Sequence, residues 1–428
     1  MAVAAEPLDA VRRAAGPEHT RPGDAADEVD GVRPDLVVEP GTVDGVREVM
    51  RTAHQAGLRV VVRGGGTKLG WGAPPAGLDL LLSTAGLDQV LEHAAGDLVV
   101  RAQAGVRLAD LQRKLTPAGQ MLALDPPEEG ATLGGIVATG ASGPRRLRYG
   151  TPRDLLIGVT VVLADGTLAH SGGKVVKNVA GYDLGKLFTG SFGTLGVLVE
   201  LIFRLHPLPA AAGLAVAEVV TAERAGAAVR ALSASSLVPS AVELDWPDPA
   251  GRGMLSVLVE GVAPGVEAQT GAVAELLAEH GKARVGDPGE VDAAVAALGA
   301  LRWTPEPEVL GVKVATVPAD LPVALTALWE VAGAHDLDAQ VRGHAATGVL
   351  TAALRGGDAA AQAAFVTDAR DRLALGEATL VVRQATPEVK KAVDVWGPAG
   401  DAIDLMRRVK RQFDPEGVLS PGRFVGGI

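Results

Sequence analysis

An α+β fold of more than one domain is what this 428-residue sequence predicts, and three observations carry the prediction. A strand–helix–strand pattern near the N-terminus runs straight into a glycine run. Strand-like segments then dominate residues 78–205. Beyond them, the order strand, helix, strand, strand, helix, strand spans 214–286 and recurs over 309–382.

The first unit starts at the β-rich run 36–38. Thr42 follows as a helix N-cap, and Val46, Val49, Met50 and Ala53 recur at helical spacing until Gly57 stops the helix. The string RVVVR at 59–63 is a buried strand, so the glycines at 64, 65 and 66 sit at a strand's carboxyl end. Further along, LDLLL, LVVRAQAG, IGVTVVLADGTL and GVLVELIFRL read as strands, with short helices near 108–115 and 184–187 and a hairpin signal at Asp165-Gly166. The string HPLP at 206–209, followed by alanines, marks a boundary. In the second half of the repeat, strands are expected at 309–317, 337–342, 347–354 and 378–382, and helices at 318–334 and 358–375. Two ferredoxin-like βαββαβ units follow from that order. A helix near 402–412 precedes an irregular tail, FDPEGVLSPGRF. The expected division is an N-terminal extension (1–33), a glycine-rich domain (34–209), a cap (210–385) and a C-terminal segment (386–428) returning to the glycine-rich domain.

Composition narrows the function. Forty basic against 51 acidic side chains leave a net charge of −11, which does not attract nucleic acid or anionic lipid. Without cysteine, the chain offers no thiolate for zinc or an iron–sulfur cluster, so any such cluster belongs to a partner. The first 16 residues lack the pattern of a signal peptide and no apolar run reaches ~18 residues, so the expectation is a cytoplasmic protein that meets a membrane only through partners, with no direct insertion.

Three segments carry chemistry. In RGGGTKLG (63–70), consecutive glycines let successive amides turn inward as an anion nest, with Thr67 and Lys68 adding a hydroxyl and a charge. The spacing matches neither the dinucleotide fingerprint nor the P-loop. In LDPPEEGATLGGIVATGASG (124–143), small residues permit close approach of backbone to a flat ligand. The third segment, KVVKNVAGYDLGKLFTGSFGTLGVLVE (174–200), brings glycines 190, 193 and 196 into a closely packed strand.

In this order the three segments resemble the FAD-binding domain of the vanillyl-alcohol oxidase/p-cresol methylhydroxylase (PCMH-type) family, over about 33–208. The third segment, with KAVDVWGP and RRVKRQFDPEGVLSPGRF near the C-terminus, is similar to glycolate oxidase flavin subunits, in particular the E-type, FAD-binding subunit. The resemblance implies a PCMH-type two-part FAD-binding domain plus the cap. It implies that Arg63, Gly64, Gly65, Gly66, Thr67, Lys68 and Leu69 hold the diphosphate. By the same resemblance Thr132, Gly134, Gly135, Val137, Ala138, Gly140, Ala141, Tyr149 and Gly150 line the flavin, and Asn178, Val179, Tyr182 and Val197 contact it or its ribityl chain. Members that attach FAD covalently do so through a loop histidine; this loop has none, so non-covalent FAD is expected.

The implied reaction removes hydride from a small 2-hydroxy acid, which calls for a base near the hydroxyl and cations for the carboxylate. Arg145, Arg148 and Arg342 are the candidate cations and His344 the candidate base; Arg146, Arg383, Lys390 and Lys391 are further cations near them. The family's histidine-rich strings are reduced to GHAATGVLT at 343–351, so no metal site is expected. A sister flavoprotein and an iron–sulfur protein are the implied partners. Two other readings stay open: a non-catalytic flavin carrier and a free-standing flavin oxidase.

Overall fold

The computed structural model describes residues 5–174, 182–297 and 308–428. Two small sheets hold a cleft between them and a third, larger sheet closes over it. In the first sheet the order is Thr20–Pro22, Leu36–Val38, Leu80–Ser83, Val60–Arg63, with the last three strands parallel. Those three are nearly continuous apolar runs, as parallel strands buried on both faces must be. The helix Val43–Gln55 makes the crossover. Thr42 Oγ1 accepts from the Gly45 N–H at 3.1 Å, and Val46, Val49, Met50 and Ala53 are buried. The expectations left out a helix at Ala5–Ala15, whose Leu8 and Val11 pack into the same core.

The second sheet is antiparallel, in the order Val90–Ala94, Val99–Gln103, Val197–Arg204, Leu156–Val162, Leu168–Gly172. The C-terminal tail ties the two sheets together. Val60 N–H donates to the Val418 carbonyl and Ser420 N–H to the Val60 carbonyl, both at 2.8 Å, so the tail extends the first sheet. Buried Lys410, on the helix Ile403–Phe413, donates to the carbonyls of Thr194 and Leu419 and to Asp414. That ammonium is satisfied on all three protons.

The third sheet has eight antiparallel strands and is made of two βαββαβ units. The first runs Ala211–Val219, Ala241–Trp246, Gly253–Gly261, Lys282–Val285; the second runs Leu310–Ala315, Asp338–His344, Val349–Arg355, Thr379–Gln384. The units join edge to edge where Ala241–Trp246 pairs with Asp338–His344, in the register Glu243 opposite His344 and Asp245 opposite Arg342. Strand alternation decides what each face does. Leu244, Trp246, Val312, Val314, Val341, Leu350, Ala352, Leu380 and Val382 form one core with the four helices Ala222–Ala234, Ala263–Ala278, Leu321–Ala334 and Ala359–Ala374. Their polar neighbours, Glu243, Asp245, Lys313, Arg342, His344, Thr351 and Arg383, alternate with these positions, and four of the seven, Glu243, Asp245, Lys313 and Thr351, were not singled out from the sequence.

Trp396, in the string KAVDVWGP, is packed. Its ring lies edge-on to Phe192 and Phe424 at 4.8 and 5.0 Å, and its Nε1–H donates to the Arg423 carbonyl at 2.9 Å. No helix among the described residues is long and apolar enough to cross a membrane.

Candidate functional site

The three motifs converge on one cleft. After the strand Val60–Arg63, the loop turns through Gly66, at φ 75°, and closes with Leu69 N–H donating to the Gly66 carbonyl. Among the described residues, the amides of Gly65, Gly66, Thr67 and Lys68 find no carbonyl or side-chain acceptor. Four adjacent unpaired donors in a loop that lines one cleft are what an anion nest requires. The tail holds the loop from behind. Arg423 Nη2 donates to the carbonyls of Leu69 and Trp71 at 2.6 and 2.5 Å, and Lys390 Nζ to Gly70 O and Asp30 at 2.5 and 2.6 Å.

The second motif forms the helix Leu133–Thr139, capped by Thr132, whose Oγ1 accepts from Gly135 N–H at 3.3 Å. The helix end then pins the third motif: Gly190 N–H donates to Val137 O and Phe192 N–H to Ala138 O. The cleft is lined by Gly64, Gly65, Gly66, Thr67, Lys68, Leu69, Thr132, Gly134, Gly135, Ala138, Thr139, Phe192, Gly193, Gly196, Leu198 and Arg423. Free amides at one end and small residues along the wall fit a diphosphate joined to a flat ring system, so these residues would hold FAD.

A second cavity lies between the cap sheet and the segment following that helix. Gly140, Ala141, Gly143 and Arg146 line it from below, and Glu243, Lys313, Arg342, His344, Thr351 and Arg383 from the sheet. The two spaces meet at the buried pair Lys68–Glu128, 2.8 Å apart: Lys68 lines the cleft and Glu128 the cavity. Among the described residues, three of the cavity's cations, Arg146, Lys313 and Arg383, have no hydrogen-bonded acid. Arg383 stacks 3.7 Å from the Trp71 ring centre, with Nε and Nη1 buried and without a partner among the described residues. Burial pushes its guanidinium down to about 10. Burial, then the charges of Arg383 and Arg146, push Lys313 down to about 8. Arg146 is lowered as well, chiefly by burial. Below the cap, burial raises Asp125 to about 6 although its Oδ2 accepts from the Arg145 N–H.

Not every residue implicated by the sequence reaches these spaces. Arg63 turns to Asp27, 2.8 Å away, and that carboxyl is held far below its usual range, first by its hydrogen bond from Arg21. Val137 and Val197 are fully buried and face the cores behind the cleft; Gly196 and Leu198, one position either side of Val197, face the cleft, because neighbouring strand residues point to opposite faces. Tyr149 lies with its hydroxyl 3.5 Å from Glu260, and Gly150 follows it as a helix cap at φ 85°, both outside the two spaces. Tyr182 is 89% exposed. Asn178 and Val179 fall outside the described residues.

Arg145 and Arg148 fasten the cap rather than face the cavity. Arg145 Nη2 lies 2.9 Å from Glu260, and Arg148 donates to Ser240 and the Glu260 carbonyl. Arg146, between them, is the one that lines the cavity. Arg342 does line it, with Nε 3.2 Å from Asp245. Sequence reasoning missed Glu128, Glu243 and Lys313. For Lys313 a signal existed: a lone lysine at an inward or outward position of the apolar run LGVKVA.

Comparison with known proteins agrees with the cleft. Residues 34–172 match the FAD binding domain model, and residues 396–424 the model for the FAD linked oxidases, C-terminal domain. The chain is 28% identical over 419 residues to glycolate oxidase subunit GlcD of Bacillus subtilis (strain 168), covering 91% of this chain and 89% of that one. It is 30% identical over 421 residues to the mitochondrial D-2-hydroxyglutarate dehydrogenase of Bos taurus, covering 91% and 76%. The solved structure of p-cresol methylhydroxylase with substrate bound superposes with a TM-score of 0.78 at 16% identity, over 98% of this chain and 96% of that one, which shows a shared fold. With that fold, the two matched regions and a relative aligned along most of its length, the chain belongs to the FAD-linked oxidoreductases of the PCMH-type family, and its cofactor is FAD.

Proposed function

We propose that this chain is the E-type redox subunit of a glycolate-oxidase-like complex, oxidising a small 2-hydroxy acid with non-covalently held FAD. The observation that carries the reading is the cavity beside the FAD cleft, where Arg146, Lys313 and Arg383 converge with no hydrogen-bonded acid among the described residues. Unpaired buried cations are costly, and a carboxylate placed among them relieves that cost. Arg383 suits the task because it stacks on Trp71 with Nε–H and Nη1–H left to donate. Bound in the cleft, the flavin supplies a two-electron acceptor. The residues of the cap hold the acid over it, and the sheet above excludes bulk water. In this proposal residues 34–209 and 386–428 hold the FAD and 210–385 the substrate.

The loop 64–70 contains no histidine, cysteine or tyrosine to attach the flavin covalently. Acid precipitation of the purified protein is therefore expected to release FAD into the supernatant; a yellow pellet under a colourless supernatant contradicts non-covalent attachment.

The role in a complex is tested by turnover of glycolate and D-lactate with a dye acceptor, comparing the isolated chain with the chain reconstituted with a sister flavoprotein and an iron–sulfur protein. A higher rate per flavin in the complex is expected, because this chain has no cysteine with which to carry an iron–sulfur relay. Equal rates would favour a free-standing enzyme.

A further inference from the structure

The glycine loop and the second motif both run out of the FAD cleft and into the cap cavity. Residues 64–69 line the cleft and Trp71 the cavity; Ala138 and Thr139 line the cleft, and Gly140 and Ala141 the cavity. Lys68 stands where the loop crosses over. Its ammonium lies 2.8 Å from Glu128, which lines the cavity, and 3.3 Å from Thr67 Oγ1. It is 5.7 Å from the centre of the Trp71 ring, on which Arg383 also stacks. The side chain is only 5% exposed, so its charge is weakly screened by water. Burial lowers the pKa of the ammonium, and the Glu128 carboxylate works against that shift. On a four-carbon stem the charge stands apart from the Lys68 amide, so the two can serve different parts of one ligand. The amide belongs to the nest. The ammonium stands at the junction of the two spaces, and a hydride acceptor must lie there to meet a substrate held in the cavity.

We infer that the Lys68 side chain serves the ring end of the bound flavin and not its diphosphate, placing a positive charge where the ring gains a negative one. The inference rests on the functional reading above, which assigns the cavity to the substrate. In that reaction the α-C–H bond of the 2-hydroxy acid breaks with its hydrogen and electron pair going to the flavin. The hydroxyl proton leaves to the medium, and a 2-oxo acid remains. Two electrons arriving with one proton add one unit of negative charge to the acceptor. A cation already in place and shielded from water stabilises that charge without reorganising. Among the described residues the other cation lining the cleft is Arg423, whose Nη2 is occupied by the carbonyls of Leu69 and Trp71. Glu128 balances the Lys68 charge until the ring takes up its own.

The test needs no 2-hydroxy acid. The FAD-loaded wild type, Lys68→Met and Lys68→Arg are reduced slowly at pH 7 by xanthine and xanthine oxidase beside a reference dye. Absorbance then gives the two-electron equilibrium between flavin and dye, and the Kd of each apoprotein for oxidised FAD is measured in parallel. In Lys68→Met the equilibrium is expected to move toward oxidised flavin by about 10- to 100-fold, the range of one charge-assisted hydrogen bond. For two electrons that is a potential lower by about 30 to 60 mV. The Kd for oxidised FAD is expected to rise by no more than about threefold. Lys68→Arg, which keeps the charge, is expected to stay within about threefold of wild type in both readouts. Lys68→Met leaves Glu128 buried without its cation, so the double variant Lys68→Met/Glu128→Gln removes both partners and is expected to show the same shift where the single variant does not fold. An unchanged equilibrium with a Kd for FAD raised tenfold or more would overturn the inference and give Lys68 to the diphosphate. No change in either readout would overturn it as well, leaving Lys68 a partner of Glu128 alone. Wild-type flavin that neither glycolate nor D-lactate reduces would overturn the functional reading, a failure that the dye equilibrium does not share.

Discussion

Gly65→Val is expected to yield a folded chain that purifies without its flavin. A Cβ at residue 65 would lie 2.2 Å from the Gly130 carbonyl oxygen, a backbone atom that cannot turn aside. Gly64 is held the same way, its Cβ falling 2.2 Å from Thr132 Oγ1. The loop and the segment 130–135 therefore touch through atoms with no room for a side chain, and a β-branched residue must push the nest away from the cleft. Overpacking of this kind costs about 1–3 kcal/mol, a loss of about 5- to 150-fold if it falls wholly on the bound state. The loss is expected in flavin content at 1:1 loading, with an unchanged far-ultraviolet circular dichroism spectrum. Gly70→Ala is the control, because a Cβ there meets nothing within 4 Å. Retention of FAD by Gly65→Val, or its equal loss in Gly70→Ala, would remove the loop from the binding site.

Arg383→Met and Lys313→Met are each expected to lower kcat/KM for the acid substrate by about 10- to 100-fold, the range of one charge-assisted hydrogen bond at ~1.5–3 kcal/mol. FAD content should not change, since both residues stand in the cap cavity and outside the cleft. The pH dependence separates them. Lys313 is charged below its lowered value of about 8 and neutral above it, so wild-type affinity for the carboxylate should fall as pH rises through 8. In Lys313→Met that limb should vanish, whereas in Arg383→Met it should remain. A wild-type KM that stays flat from pH 7 to 9 would remove Lys313 from the carboxylate site.

The reason for a glycine at 65 shows how far the sequence could be read. The requirement was legible as the backbone freedom that lets successive amides of the loop turn inward. In the structure the positive φ belongs to Gly66, and the neighbour that excludes a side chain at 65 is the Gly130 carbonyl. Local patterns transferred well. Thr42 caps its helix, and the second cap unit has its strands within about two residues of their expected places, because hydrophobic alternation is a property of neighbouring residues. The helix at Leu133–Thr139 was hidden, since its glycines and small residues carry weak helical propensity and it is held by Thr132 and by tertiary contacts.

Charged residues were harder to place than glycines. Arg145, Arg146 and Arg148 are equivalent in a string; only the position of Glu260 on a cap strand decides that two fasten the domains together and the third faces the cavity. Arg63 was likewise attributed to the diphosphate on its position in the loop, and the buried Asp27, 36 residues earlier, takes it instead.

By itself, then, the sequence determined the α+β class, the doubled cap and the order of the glycine-rich segments that make an FAD cleft. Each of these depends on spacing along the chain, through side-chain period and the freedom of a residue without a Cβ. Tertiary structure alone decided the arrangement of the cap cavity. Glu243 and His344 lie 101 residues apart and meet only because two edge strands pair in one register. A slip of one residue in either strand would turn its member of the pair toward the helices, so their juxtaposition depends on long-range packing that no local pattern encodes.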